Sequence, residues 1–359
     1  MLEVVQHHQQ PAGRKKSLFA TLFLMAGIAF ASAIFTPTAR AQAAAPYLNM
    51  PEIAPIGVRA ENYLAIPESA LGPAIDPAKG YRVQLLGKGL YMVTENVYQS
   101  MFMVYENGVV VIDAPPSLAA FIPKAIAEVT NKPITHLIYS HSHTDHIGGA
   151  KGFGKNPVII AHAETKRLLE RAHDAGRPLP NQTFTDRYTL HAGSQTLELS
   201  YHGNGHEPGN IFIYAPAQKT LMVVDVVFPG WMPFRRLALA QDVPGYFAQV
   251  EAIKAIDFNT LVTGHVARTG TKRDVELQSE FLADLKSAAG KALQTTKPGE
   301  ELNSKNAGNN PWAYFDNYID RVALQCVNTL TPKWSSKLAA FDVFIWDQCY
   351  TMEQSLRID

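Results

Sequence analysis

Short apolar runs separated by polar residues dominate the chain from Tyr81 onward. Strand-like patterns cover 82–86, 90–93, 102–105 and 109–113, and helical periodicity follows at 116–130. Further apolar runs, at 137–139, 197–201, 220–224 and 260–263, each end in polar residues. Two strand-rich blocks with helices between and after them predict an α/β sandwich. The chain is long enough for such a sandwich to bury a core of its own.

Changes in pattern divide the chain into four parts. We expect a signal peptide at 1–41, an irregular Pro- and Ala-rich segment at 42–80, a catalytic domain at 81–290 and an aromatic-rich helical extension at 291–359. The aromatic residues of the extension have mainly helical spacings, so they either dock helices on the sandwich or form a lid or a homodimer surface beside a pocket. Cys326 and Cys349 are the only cysteines, and in an oxidising compartment we expect them to pair.

The signal peptide is predicted from three consecutive features. A basic stretch at 14–16 precedes an apolar stretch at 18–35, and Ala39-Arg40-Ala41 supplies a small-x-small cleavage pattern. The pattern predicts export to a periplasm or to the outside, with removal of the signal peptide and no stable membrane insertion afterwards. A retained membrane anchor is the alternative, although an 18-residue stretch rich in Ala and Gly is short for a span.

Charge narrows the class of partner. The whole chain carries 32 basic and 32 acidic residues, and cleavage after Ala41 leaves 28 basic and 31 acidic residues, a formal net charge of −3. No basic patch emerges, so nucleic acid is not an expected partner. A small-molecule substrate is expected instead.

The densest chemistry lies directly after the apolar run 137–139, in His141-Ser142-His143-Thr144-Asp145-His146. His141 and His143 are two residues apart on an extended stretch, so their side chains point to one side and can share an ion. Asp145 and His146 follow where the chain turns into a helix. This spacing favours two neighbouring transition-metal sites.

Downstream strand ends supply further ligands. His206 lies in the glycine-rich turn 203–209 and completes a three-histidine set with His141 and His143. Asp225 ends an apolar run that is typical of a buried strand, where a carboxylate needs cationic partners, so it is the expected bridge between two metals. His265 follows the run 260–263 and would join the second metal.

Four ordered motifs over residues 81–290 resemble the metallo-β-lactamase superfamily: His-x-His-x-Asp-His, Gly-His-x-x-Gly, a strand-end Asp and a Gly-His. The resemblance implies a four-layer αβ/βα sandwich that carries two Zn²⁺ per chain. It implies ligands His141, His143 and His206 for one zinc and Asp145, His146 and His265 for the other, with Asp225 shared. It also implies a hydrolase that uses a metal-bound hydroxide, which Asp145 would orient as well as binding metal.

The superfamily acts on several classes of substrate, so the ligands alone do not choose among them. Asp225 resembles the glyoxalase II enzymes and the lactonases rather than the zinc β-lactamases, and this favours a small lactone or ester. Acyl-homoserine lactonases resemble one another in having a tyrosine at the position of Phe228. The phenylalanine in this chain therefore argues against that particular activity. Phe228, Trp231 and Phe234 are expected to form an apolar wall for the substrate, with a surface loop as the alternative.

Three other functions stay open at this point. A zinc β-lactamase would use the same centre on a different carbonyl compound. A mononuclear-iron persulfide dioxygenase shares part of the ligand set but does not need both His146 and Asp225. A non-catalytic zinc protein would need fewer than seven ligands.

Overall fold

The computed structural model describes residues 63–299 and 309–359. The predicted signal peptide and its cleavage point lie outside the described residues, as does the part of the irregular segment that precedes residue 63. The strands are β1 (Arg82–Gly87), β2 (Leu90–Thr94), β3 (Gln99–Tyr105), β4 (Gly108–Ile112), β5 (Ile134–Ile138), β6 (Val158–His162), β7 (Gln182–Phe184), β8 (Arg187–Ala192), β9 (Gln195–Tyr201), β10 (Ile211–Ala215), β11 (Thr220–Val223) and β12 (Thr260–Val262). The helices are α1 (Ile122–Ala127), α2 (Thr144–Ile147), α3 (Ala163–Ala172), α4 (Arg235–Leu239), α5 (Val243–Ala255), α6 (Lys272–Thr295), α7 (Pro311–Trp334) and α8 (Phe341–Ile358).

The strands form two sheets. The first has the order β1-β2-β3-β4-β5-β6-β7, and the second has the order β12-β11-β10-β9-β8. The first sheet is antiparallel from β1 to β4 and parallel from β4 to β7. In the second sheet only β11 and β12 run parallel. Parallel strands bring their carboxyl ends to one edge, and the loops that follow β5, β11 and β12 carry predicted metal ligands.

Strand β4 shows why its sequence is continuously apolar. Val110 and Ile112 face the second sheet, whereas Val109 and Val111 face the helices on the other side. All four side chains are fully buried, because neighbouring residues of a strand point to opposite faces and here both faces are covered.

Helices cover the outer face of each sheet. Residues of α1, α2 and α3 pack on the first sheet, and residues of α5 to α8 pack on the second. The result is the predicted four-layer αβ/βα sandwich with a helical C-terminal extension. The predicted helix at 116–130 was too long, because the chain turns until residue 121 and only Ile122–Ala127 is helical. Pro115, Pro116 and Pro123 restrict the helix there to a start with Pro in its first turn.

The C-terminal extension is part of the largest core rather than a separate layer. Trp334, Ile345 and Met352 are buried together with Phe281 of α6 and Tyr246 of α5. Aromatic side chains near the start of α7 are exposed, Trp312 most of all at 80%. Among the described helices, none combines the length and the apolar character that crossing a bilayer requires.

The two cysteines lie within the extension and are close enough to bond. Their sulfur atoms are 2.06 Å apart and their Cα atoms 5.9 Å apart, which joins α7 to α8. The paired arrangement expected for Cys326 and Cys349 is therefore present in the fold.

Helix α4 is left-handed. Four consecutive non-glycine residues, Arg236, Leu237, Ala238 and Leu239, have φ between 53° and 58°. Side chains of L-residues crowd the following carbonyl in this conformation, at a cost of about 1–2 kcal/mol per residue. Such a turn persists only where surrounding contacts fix it.

Candidate metal centre

The histidine-rich motif forms a turn at the end of β5. His141 is fully buried, and His143 has an extended backbone just before α2, whose first turn holds Asp145 and His146. The turn is anchored from below by Asp113, because its Oδ1 accepts a hydrogen bond of 2.8 Å from the backbone N–H of Ser140.

One group of potential ligands consists of His141, His143, His206 and Asp225, with one ligand atom of each within 4.8 Å of the others. His143 Nδ1 and His206 Nε2 are 3.0 Å apart. Asp225 Oδ2 lies 3.3 Å from His206 Nε2 and 3.6 Å from His141 Nε2. These three histidines are the set predicted for the first metal.

A second group consists of Asp145, His146 and His265, again with ligand atoms within 4.8 Å of one another. His146 Nε2 and His265 Nε2 are 3.1 Å apart. Asp225 faces this group as well, since its Oδ2 lies 3.1 Å from His146 Nε2 and its Oδ1 lies 3.1 Å from His265 Nε2. The structure therefore brings all seven predicted ligands together and places Asp225 between the two groups.

The donor set fits metal ions. His141 Nε2 and Asp225 Oδ1 are buried without a hydrogen-bond partner although they face the centre, an arrangement that a bound cation would relieve. Burial lowers the pKa of His141 well below its usual value and that of His206 to about 4, so both imidazoles are neutral, as metal ligands must be.

The centre also attracts positive charge. Burial alone would raise the pKa of Asp225, but the neighbouring His146, His265 and His206 outweigh it and hold that pKa well below its usual range. Burial alone would lower the pKa of His146, but the carboxylates of Asp225 and Asp145 outweigh it and raise that pKa to about 9. The neighbouring imidazoles therefore keep this buried carboxylate ionised.

Polar contacts behind three histidines orient the ring nitrogen that faces the centre. His141 Nδ1 lies 2.9 Å from Ser140 Oγ, and His206 Nδ1 lies 2.5 Å from the carbonyl oxygen of Ala238. His143 instead turns Nε2 outward, 3.3 Å from Glu207 Oε1. Such contacts orient ligands and raise their basicity.

Glu207 was not singled out from the sequence. It is buried, and its carboxylate also accepts hydrogen bonds from the backbone N–H and the hydroxyl of Ser142, both at 2.9 Å. Its position next to His206 in the glycine-rich turn is the sequence feature that could have identified it.

Tyr98 and Asp113 were also missed. The Tyr98 hydroxyl lies 3.4 Å from Asp145 Oδ2, and its ring lies 4.6 Å from that of His265. Burial and the Asp145 carboxylate raise the pKa of Tyr98 to about 12, so the phenol keeps its proton. Asp113 ends the apolar run of β4 much as Asp225 ends that of β11, and burial raises its pKa to about 6.

A cleft of about 400 Å³ opens over the two ligand groups. Its walls include Phe228, Trp231 and Phe234, the three residues predicted to contact the substrate, together with Met232, Leu239 and Phe344. Phe344 belongs to α8, so the C-terminal extension contributes directly to the cleft. The arginines that follow Phe234 are not among the described residues that line it.

The region that contains this site is similar to known proteins. The model of the metallo-beta-lactamase superfamily matches residues 93–265. The alpha subunit of a 2,4-dinitroanisole O-demethylase from Nocardioides sp. (strain JS1661) is 27% identical over 180 residues, which cover 44% of this chain and 55% of the relative. A metallo-beta-lactamase type 2 from Bacteroides fragilis is 28% identical over 129 residues, covering 33% and 51% respectively. The chain thus spans about half the length of these curated relatives.

A solved metallo-beta-lactamase from Pontibacter korlensis superposes with a TM-score of 0.48 at 20% sequence identity, covering 56% of this chain and 99% of that one. The matched residues 93–265 contain every predicted metal ligand, from His141 to His265. Residues 93–265 thus match the metallo-β-lactamase superfamily, which the four sequence motifs resemble.

Proposed function

We propose that this protein is a dinuclear zinc hydrolase that cleaves a small lactone or ester with an apolar substituent. The observation that carries the proposal is the position of Asp225, whose carboxylate contacts both groups of ligands at the floor of an apolar cleft. When bound, two zinc ions would activate water and polarise a carbonyl oxygen without a nucleophilic serine or cysteine. The remaining steps fall to side chains of the chain itself.

Asp145 is the acidic ligand most open to the cleft, with 46% of its side chain exposed against 7% for Asp225. We assign it to orient the attacking water as well as to bind metal. Tyr98 lines the cleft with a protonated phenol that lies 3.4 Å from Asp145 Oδ2, and by turning its O–H from that carboxylate it can donate a hydrogen bond to the substrate. Because Phe228 offers no such donor, Tyr98 is the phenol available to the substrate carbonyl oxygen. A Tyr98→Phe variant should therefore lower kcat while its metal content stays unchanged.

The cleft walls set the preferred substituent. Four aromatic side chains, of Phe228, Trp231, Phe234 and Phe344, surround the space above the centre. Burying one hydrophobic group of a substrate there would contribute about 1.5–3 kcal/mol. A volume of about 400 Å³ suits a small molecule rather than a polymer.

The decisive experiment pairs metal analysis with a substrate panel. Purified protein would be assayed with matched lactone, aryl ester, thioester and β-lactam substrates, with an aryl methyl ether because of the O-demethylase relative, and with a persulfide under oxygen. We expect about two zinc ions per chain and the highest kcat/KM for a lactone or ester. A β-lactam kcat/KM well above the others would overturn the substrate proposal. Purified protein that carried one iron and consumed oxygen with the persulfide would overturn the proposal of a hydrolase.

Export to a periplasm or to the outside is a further part of the proposal. It is supported by the basic, apolar and small-residue pattern at 14–41 and by the paired cysteines. The mature chain should then begin near Gln42. Intact mass spectrometry of protein from the exported fraction tests this, and a full-length mass would contradict it.

A further inference from the structure

The left-handed turn α4 connects the C-terminal extension to the metal centre. Its conformation is unfavourable at four non-glycine positions in succession, so an outside contact must hold it. Leu237 and Ala238 of the turn are buried, and Ala238 and Leu239 line the cleft. Because Leu237 is fully buried, water cannot replace the hydrogen bond of its backbone N–H.

Gln348 of α8 supplies these contacts. Its side chain is fully buried, and its Oε1 accepts a hydrogen bond of 2.7 Å from the backbone N–H of Leu237. Its Nε2 donates to the carbonyl oxygens of Pro233 and Phe234, at 2.7 and 2.9 Å. One amide group thus binds both the entrance and the interior of the turn. The neighbouring Asp347 carboxylate accepts a hydrogen bond from the backbone N–H of Arg236.

The left-handed turn also positions one of the predicted metal ligands. The carbonyl oxygen of Ala238 accepts the Nδ1–H of His206 at 2.5 Å, so the lone pair of Nε2 faces the centre. In an ordinary right-handed turn this carbonyl would point elsewhere. The path therefore runs from the Gln348 amide, through the backbone between Leu237 and Ala238, to the ring of His206.

We propose that Gln348 is a positioning residue for the metal centre: by fixing α4 in its left-handed form, it sets the tautomer and orientation of His206. The inference rests on the metal centre of the proposed function but not on its substrate. It gives the C-terminal extension, more than a hundred residues from the histidine motif, a share in metal affinity. The Cys326–Cys349 pair lies next to Gln348 and ties its helix to α7.

The test compares two glutamine-to-methionine variants, which keep similar volume but lose the amide. In Gln348→Met we expect the affinity for one of two zinc ions, measured by chelator competition, to fall about 10–100-fold. The visible spectrum of the cobalt-substituted protein should also change, since it reports ligand geometry. Gln325→Met on α7, whose side chain hydrogen-bonds only Thr295 among the contacts described, is the matched control and should bind metal as the wild type does.

Coupling to His206 separates positioning from general destabilisation. In a His206→Ala background, Gln348→Met should lower metal affinity no further. Full, independent loss in that background would overturn the inference, as would wild-type affinity and spectrum in a folded Gln348→Met protein. If Gln348→Met fails to fold, Gln348→Glu replaces it, because the glutamate keeps the acceptor for the backbone N–H of Leu237. This variant should lose less metal affinity than Gln348→Met. Wild-type metal affinity in Gln348→Glu would count against the proposal. A wild-type protein that bound no metal would overturn the metal centre itself.

Discussion

Replacing Glu207 with glutamine tests how strongly a carboxylate outside the ligand set controls the first metal site. Its two oxygens accept two hydrogen bonds from Ser142, and Oε1 also lies 3.3 Å from His143 Nε2. If the glutamine oxygen keeps the backbone N–H of Ser142, its NH₂ group must face the ring of His143. The ring would then have to accept a hydrogen bond at Nε2 and carry its proton on Nδ1, the atom that faces the metal.

The magnitude follows from this conflict. A hydrogen bond to a charged group is worth about 1.5–3 kcal/mol, and loss of a partner behind a metal-binding histidine lowers metal affinity about 10–100-fold. We therefore expect the zinc dissociation constant of one site to rise by that factor. Competition with a chromogenic chelator at neutral pH measures it. Glu198→Gln on the exposed face of β9 is the control. Unchanged affinity for both metals in Glu207→Gln would refute the assignment of Nδ1 as the ligand atom of His143.

Three further predictions concern the centre, the cleft and the fold. Asp225→Ala should reduce the metal content from about two ions to about one and lower the rate of hydrolysis by orders of magnitude. If elemental analysis found an unchanged metal content, Asp225 would not be a metal ligand. Trp231→Ala should raise KM, with kcat/KM falling about 10-fold or more, whereas Trp312→Ala at an exposed position should leave steady-state kinetics unchanged. Replacing Cys326 and Cys349 by serine should lower the free energy of unfolding by about 3 kcal/mol for a sequence separation of 23 residues, and an unchanged denaturation midpoint would contradict the cross-link.

The metal ligands could be predicted because each follows a strand whose apolar pattern is visible. His141, His206 and His265 lie in turns at strand ends, so local sequence reveals both the residue type and its direction. Sheet topology then brings those ends together. The helix expected at 116–130 was wrong in extent because proline delays its start, a local effect that periodicity does not register.

The remainder depended on tertiary contacts. Phe344 and Gln348 lie on one face of a C-terminal helix, and nothing near them in the sequence indicates that this face meets the cleft. Four left-handed residues in a row contradict the local preference of Arg236 and its neighbours, so no single-residue propensity predicts α4. Tyr98 follows a loop without a motif, and only the fold places it beside Asp145.

The shared core of the C-terminal helices bears on how this protein can change over evolutionary time. The family match ends at residue 265, yet Trp334 and Ile345 pack in one hydrophobic cluster with Tyr246 and Phe228. A boundary drawn at residue 265 therefore cuts through a core. Because α8 also carries Phe344 into the cleft, a substitution that shifts the packing of this core also shifts a wall of the cleft.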